Sequence, residues 1–230
     1  MARMNSPESS GKKLVIAAFG DSITQAVEVD EEQRWPALLE AALNRESHSR
    51  STQVVNYGVG GNTSREGLAR MEDVLSGGPN LVLVEFGGND STDETERHIS
   101  LDEFTVNLAT MKSAFGAIGA QMILLTFPPV VNDWSTHNAK EWHLQHGGID
   151  GHVELYRQRT RGFAAQNQLM LIDIDSSLRA AGKTNGWEKY FQPDGVHLTA
   201  QGNALIAETV AQNLLQSQLF QELVSAPRLS

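Results

Sequence analysis

"LVIAAFGDSIT", Leu14 to Thr24, is the stretch on which the fold turns. Leu14–Phe19 is apolar throughout, with no polar residue alternating in. A strand with one wet face alternates, whereas a strand covered on both faces reads as a continuous apolar run. The run then breaks into Gly20-Asp21-Ser22, a glycine, a carboxylate and a hydroxyl. Those residues end strands and start helices. One reading of Ser22 is a helix cap. The other is a nucleophile at the exit of a sheet.

Four more runs are near-continuously apolar: Gln53–Tyr57, Leu81–Phe86, Met122–Phe127 and Leu169–Ile174. Each is followed by Gly, Pro, Asn, Asp or Ser. Between them lie helical patterns over Trp35–Asn44, Ser64–Leu75, Leu101–Ile118, Val153–Gln168 and Ala200–Phe220. Strand and helix alternating at this spacing predict right-handed βαβ units, hence a parallel sheet with helices on both faces. The expected organisation is a polar, disordered segment over 1–12, one domain over 13–222 and a tail over 223–230. The stretch Pro128–Gly151 is long and irregular, and is expected to be a functional loop or lid.

Composition narrows the function. The 230 residues carry a formal net charge of −10, which disfavours nucleic acid and anionic membrane surfaces as partners. No stable membrane association is expected. The chain has no cysteine, so disulfides, thiolate nucleophiles and Cys-ligated zinc are excluded. Met1–Lys13 lacks the apolar core of a signal peptide, and the expectation is a cytoplasmic protein.

In an open parallel sheet, ligands bind beyond the carboxyl ends of the strands. Polar, glycine-punctuated segments should therefore gather after the apolar runs, and they do. Gly20-Asp21-Ser22 follows the first run, Asn56–Thr63 the second and Gly87-Gly88-Asn89-Asp90 the third; Asp194–Thr199 precedes the last helix. A serine hydroxyl needs a base to become a nucleophile, and a histidine base needs an acceptor on its other ring nitrogen. His197, with Asp194 three residues earlier, offers both. A tetrahedral acyl intermediate needs donors for its oxyanion, and glycine N–H groups and an Asn amide suit that need.

Together the four blocks, "FGDSIT", "VNYGVGGNTS", "FGGND" and "DGVHLT", resemble those of the SGNH (GDSL) hydrolase family from Phe19 to Thr199. The resemblance implies a flavodoxin-like three-layer α/β/α sandwich around a central, mostly parallel five-stranded sheet. It implies Ser22 as nucleophile, His197 as base and then acid, and Asp194 as the residue orienting His197. It implies an oxyanion hole from the Ser22 N–H, the Gly61 N–H and the Asn89 side chain, with Gly60 as the alternative one residue away. No metal and no cofactor are implied. The expected activity is hydrolysis of small-molecule carboxylic esters, with short acyl groups such as acetyl on a carbohydrate as the first expectation. A lysophospholipase or acyl thioesterase is the alternative.

Asp21, Val196, Trp134 and Trp142 are the expected substrate contacts, the two tryptophans by stacking on a sugar ring. His137, His143, His146 and His152 crowd the loop; the i,i+3 spacing of His143 and His146 suits a metal, but no Cys or nearby carboxylate completes a set. The acids from Glu28 to Glu32 read as a solvated approach to a helix. A non-catalytic module would have lost one of Ser22, Asn89 or His197. A phosphate-binding loop would need the lysine that "GVGGNTS" lacks.

Overall fold

The computed structural model describes residues 13–46, 50–92, 96–133 and 141–225. Five strands form one sheet: β1 (Leu14–Gly20), β2 (Thr52–Gly58), β3 (Leu81–Glu85), β4 (Gln121–Leu125) and β5 (Leu171–Ile172). The order is β2-β1-β3-β4-β5 and every pairing is parallel. The helices are α1 (Ser22–Gln25), α2 (Trp35–Glu46), α3 (Ser64–Ala69), α4 (Met71–Ser76), α5 (Leu101–Ala117), α6 (Glu141–Leu144), α7 (Ile149–Asn167), α8 (Ile174–Asn185), α9 (Ala200–Gln216) and α10 (Gln218–Ser225).

Period-two geometry splits each strand between two cores. Leu14, Ile16 and Ala18 of β1 face the core made with α2, α8, α9 and α10, through Leu39, Leu43, Leu178, Ile206, Leu214 and Phe220. Ala17 and Phe19 face the other, with Val74, Phe104, Met111, Phe115 and Phe163 of α4, α5 and α7. These are the three layers the sequence predicted. β3, buried at all five positions, is central. Chain order reverses between β1 and β3, so the crevice between their carboxyl ends is where such sheets bind ligands. Ser22 and Asn89 lie just beyond those two ends.

The structure departs from expectation at several boundaries. The Ser64–Leu75 pattern forms two helices, because Arg70 (φ −115°, ψ 13°) leaves the helical path between α3 and α4. Its guanidinium reaches back to Gly20 O (2.8 Å), Tyr57 O (2.7 Å) and Asn62 Oδ1 (2.6 Å). β5 is two residues long, since Asp173 caps α8 by accepting the Ser176 N–H (3.0 Å). The Ala200–Phe220 pattern breaks at an extended Ser217, whose Oγ accepts the Phe220 N–H (3.1 Å). α10 then runs three residues into the expected tail, as Leu223 and Val224 pack against the core. The expected loop 128–151 contains α6 and the first turn of α7. Among the described residues, no helix is long and apolar enough to cross a membrane.

Candidate active site

The exit of β1 is built by Asp21. Its carboxylate is fully buried, and Oδ1 accepts the Ile23 N–H (3.0 Å), capping α1. The cap is therefore Asp21, not Ser22, and the Ser22 hydroxyl is left for other work. Trp35 holds the turn in place: its indole Nε1 donates to Ile23 O (3.1 Å), and its backbone N–H donates to Asn203 Oδ1 of α9 (3.1 Å).

His197 arrives on a turn whose own hydrogen bonds fix it. Asp194 Oδ1 accepts the N–H groups of Val196 and His197, both at 2.9 Å. Gly195 sits between at φ +72°, a left-handed conformation that costs glycine little. Gln192 N–H donates to His197 O (2.8 Å), and Thr199 caps α9. The ring then bridges two segments. His197 Nδ1 donates to Asp194 Oδ2 at 2.6 Å, and Ser22 Oγ donates to His197 Nε2 at 3.0 Å. Partial burial pushes the Asp194 carboxyl up, but the hydrogen bonds from His197 and Val196 outweigh it and hold the group below its ordinary range.

The donor side gathers Gly61 and Asn89. Gly61 lies at φ +76°, and among the described residues its N–H has no hydrogen-bond partner. The Gly60 N–H is taken by Gln25 Oε1 (2.9 Å). The Ser22 N–H is likewise without a partner among the described residues. Asn89 Nδ2 donates to Asp21 Oδ2 (3.0 Å) and to Asn62 O (3.1 Å). Arg70, bonded to Gly20, Tyr57 and Asn62, ties the exits of β1 and β2 together behind these donors.

Beneath them lie three buried acids, Asp21, Glu85 and Asp90. Burial pushes Asp21 up to about 7, against the Ile23 N–H and with help from the Asp90 charge. Burial pushes Asp90 up to about 6, against its hydrogen bonds from Ser64. Glu85, buried beside Asp21 and accepting from Thr24 Oγ1 (3.1 Å), is raised well above its usual range by burial and then by Asp21. From the ordinary Asp value of 3.8 to about 7, the native state holds protons that the unfolded chain has released. Stability therefore falls as pH rises through that window. Glu85→Gln should flatten the fall: between about pH 5 and pH 8 the native Tm should drop at least about 3 °C more than the variant's. Equal slopes in thermal melts would remove the linkage.

Asp21 is corrected as a substrate contact, because burial and its bonds to Ile23 and Asn89 leave it no face toward a ligand. Val196 has its backbone N–H on Asp194 and its side chain against the core. Trp134, the Trp142 side chain and His137 lie outside the described residues. His146 falls beyond α6, so it does not share a helix face with His143; both rings instead pack on His152, at 5.7 and 5.3 Å between centroids. Burial and its histidine neighbours push His152 down to about 4. Among the described residues, no three His, Asp or Glu side chains are placed to hold a metal.

Sequence reasoning missed Glu28. Its Oε1 lies 3.7 Å from His197 Nε2, and it lines a narrow crevice with Ser22, Ile23, Ala26 and His197. The five-residue acidic approach gave no sign of this, because a left-handed Ala26 (φ +53°) ends α1 and redirects the chain.

The chain is similar to known proteins over most of its length. The model of the GDSL-like lipase/acylhydrolase family matches residues 18–205. The chain is 30% identical over 198 residues to the esterase TesA of Pseudomonas aeruginosa, covering 85% of each chain. It is 26% identical over 214 residues to an arylesterase of Vibrio mimicus, covering 93% of each. The crystal structure of an acetyl xylan esterase superposes with a TM-score of 0.71 at 26% identity, covering 86% of this chain and 98% of that one.

Proposed function

Because the chain belongs to the GDSL-like lipase/acylhydrolase family and is a carboxylic-ester hydrolase, we propose that Ser22 is its nucleophile, His197 its general base and acid, and Asp194 the residue that orients His197. The observation that carries this reading is the continuous hydrogen-bond chain Ser22 Oγ, His197 Nε2, His197 Nδ1, Asp194 Oδ2. Ser22 Oγ bonds to the ester carbonyl carbon as its proton passes to Nε2. The tetrahedral oxyanion faces the unengaged N–H groups of Ser22 and Gly61, and the Asn89 amide becomes the third donor by exchanging one of its bonds, to Asp21 or to Asn62, for the oxyanion. Collapse breaks the bond to the leaving oxygen, which takes the proton from Nε2. Water then attacks the acyl-enzyme with the same histidine as base, and the acid leaves. Gly61 is preferred to Gly60 because Gln25 already holds the Gly60 N–H.

The substrate reading is a short acyl group, acetyl first, on a carbohydrate or other small molecule. One observation supports it. A structural relative at 26% identity is an acetyl xylan esterase. Profiling of 4-nitrophenyl esters tests the reading: kcat/KM should fall at least about tenfold from acetate to octanoate, about 1.4 kcal/mol of transition-state binding. Retained activity on octanoate would instead favour a lysophospholipase or thioesterase.

A second measurement addresses the donors. Asn89→Ala should lower kcat by about 10²- to 10³-fold with little change in KM, the pattern for a group used only in the transition state. A rise in KM at unchanged kcat would make Asn89 a ground-state contact instead.

A further inference from the structure

We propose that Glu28 is a specificity-determining residue that selects neutral or cationic esters and rejects those carrying negative charge near the scissile bond. The inference rests on Ser22 and His197 being the reacting pair. Glu28 Oε1 lies 3.7 Å from His197 Nε2, the nitrogen bonded to Ser22 Oγ. Its side chain keeps 26% of its surface exposed, so the carboxylate borders both the solvent and the reacting atoms. Among the described residues, no Lys or Arg lies within ion-pair distance of it; its one neighbour at that range is His197.

The opposite side of the site does not cancel this charge. Arg97 touches Gly61 O, but its guanidinium is also 3.3 Å from Glu66 Oε2, which offsets it locally. Arg70 is half-buried, bonded to Gly20, Tyr57 and Asn62, and its charge is met by Asp73 and Asp21. An ester bound at Ser22 therefore meets, on the His197 side, a negative wall at Glu28 that has no Lys or Arg within ion-pair distance among the described residues. A substrate charge within about 7 Å of Glu28, partly solvated, would change kcat/KM by about tenfold, and salt near 0.5 M would remove much of the effect. The same wall disfavours polyanionic thioesters and phosphate-bearing lipids.

Three thioacetates of similar shape test the proposal: acetylthiocholine (cationic), 3,3-dimethylbutyl thioacetate (neutral) and S-acetyl-2-mercaptoethanesulfonate (anionic). The thiol product is read with a disulfide reagent, to which this cysteine-free chain is blind. The readout is the ratio of kcat/KM for the cation over the anion, which is insensitive to the fraction of active enzyme. At about 0.02 M ionic strength the native ratio should be about tenfold above that of Glu28→Gln, and should shrink toward it at about 0.5 M salt. The salt series needs no variant, so it stands even if Glu28→Gln fails to fold. Equal ratios in both proteins, or a salt-independent native ratio, overturn the role of Glu28 while leaving the Ser22 reading intact. No turnover of the thioacetates or of 4-nitrophenyl acetate by the native protein overturns the Ser22 reading, and this one with it.

Discussion

Ser22→Ala should lower kcat for 4-nitrophenyl acetate by about 10⁴- to 10⁶-fold while leaving the fold intact. The size follows from covalent chemistry: without Oγ there is no acyl-enzyme, and only the donors and binding remain. The intact fold follows from the division of labour at the end of β1. Asp21, not Ser22, caps α1, and among the described residues the Ser22 Oγ hydrogen-bonds only to His197. A lost serine cap would cost about 1 kcal/mol. Here the Tm should instead stay within about 2 °C of the native value. His197→Ala should fall to a similar level, and the double variant no further, since the residues act as one unit. Substantial turnover by Ser22→Ala, or losses that multiply in the double variant, would dissolve the proposed mechanism.

Why the sequence revealed so much of this site, and where it stopped, has a physical explanation. Strands covered on both faces leave continuous apolar runs, so β1 and β3 were legible almost to the residue. Parallel strands put their carboxyl ends on one edge, so the Gly, Asn, Asp and Ser after each run had to converge. Ser22, Asn89 and His197 were therefore legible as a set although each is weak alone. What escaped depends on three-dimensional neighbours. The break at Arg70 interrupts an unbroken helical periodicity, because three carbonyl-type acceptors elsewhere in the chain claim its guanidinium. α8 was missed because Asp173 and Ile174 read as the end of the last apolar run, Leu169–Ile174; Asp173 is in fact the cap that starts the helix. Glu28 reads as one more solvated acid until the chain folds it toward His197. Asp21, polar and beside the nucleophile, read as a ligand contact; only the packing around it shows that it is buried.

Arg157→Met should destabilise the fold by about 3–5 kcal/mol, a drop of about 10 °C in Tm for a chain of this size. Arg157 is fully buried on α7. Its Nε donates to Phe127 O (2.9 Å) and its Nη2 to Pro128 O (2.6 Å), just beyond β4. The same guanidinium pairs with Asp150 (2.7 Å), Glu154 (3.1 Å) and Asp175 (3.3 Å). Methionine fills most of the volume but leaves two carbonyls and the buried faces of two carboxylates without their partner. Burial pushes Asp150 and Asp175 up, and Arg157 is the first influence against it in both: Asp150 ends below its ordinary range, whereas burial still leaves Asp175 above its own. Its loss raises both in the folded state, so the penalty is greatest near neutral pH and narrows as acid protonates them. Arg157→Lys should recover little, because an ammonium cannot reproduce the fork that reaches both carbonyls and carboxylates. The damage should also reach the active site. The segment after β4 carries Val131, whose N–H donates to Gly195 O (2.8 Å) inside the turn that presents His197. A fall in kcat at temperatures well below the variant's Tm is therefore expected. Thermal melts and kcat at about pH 5 and pH 8 check all of this together; a Tm loss under about 2 °C, or one that widens in acid, would mean that the cluster does not anchor this end of the sheet.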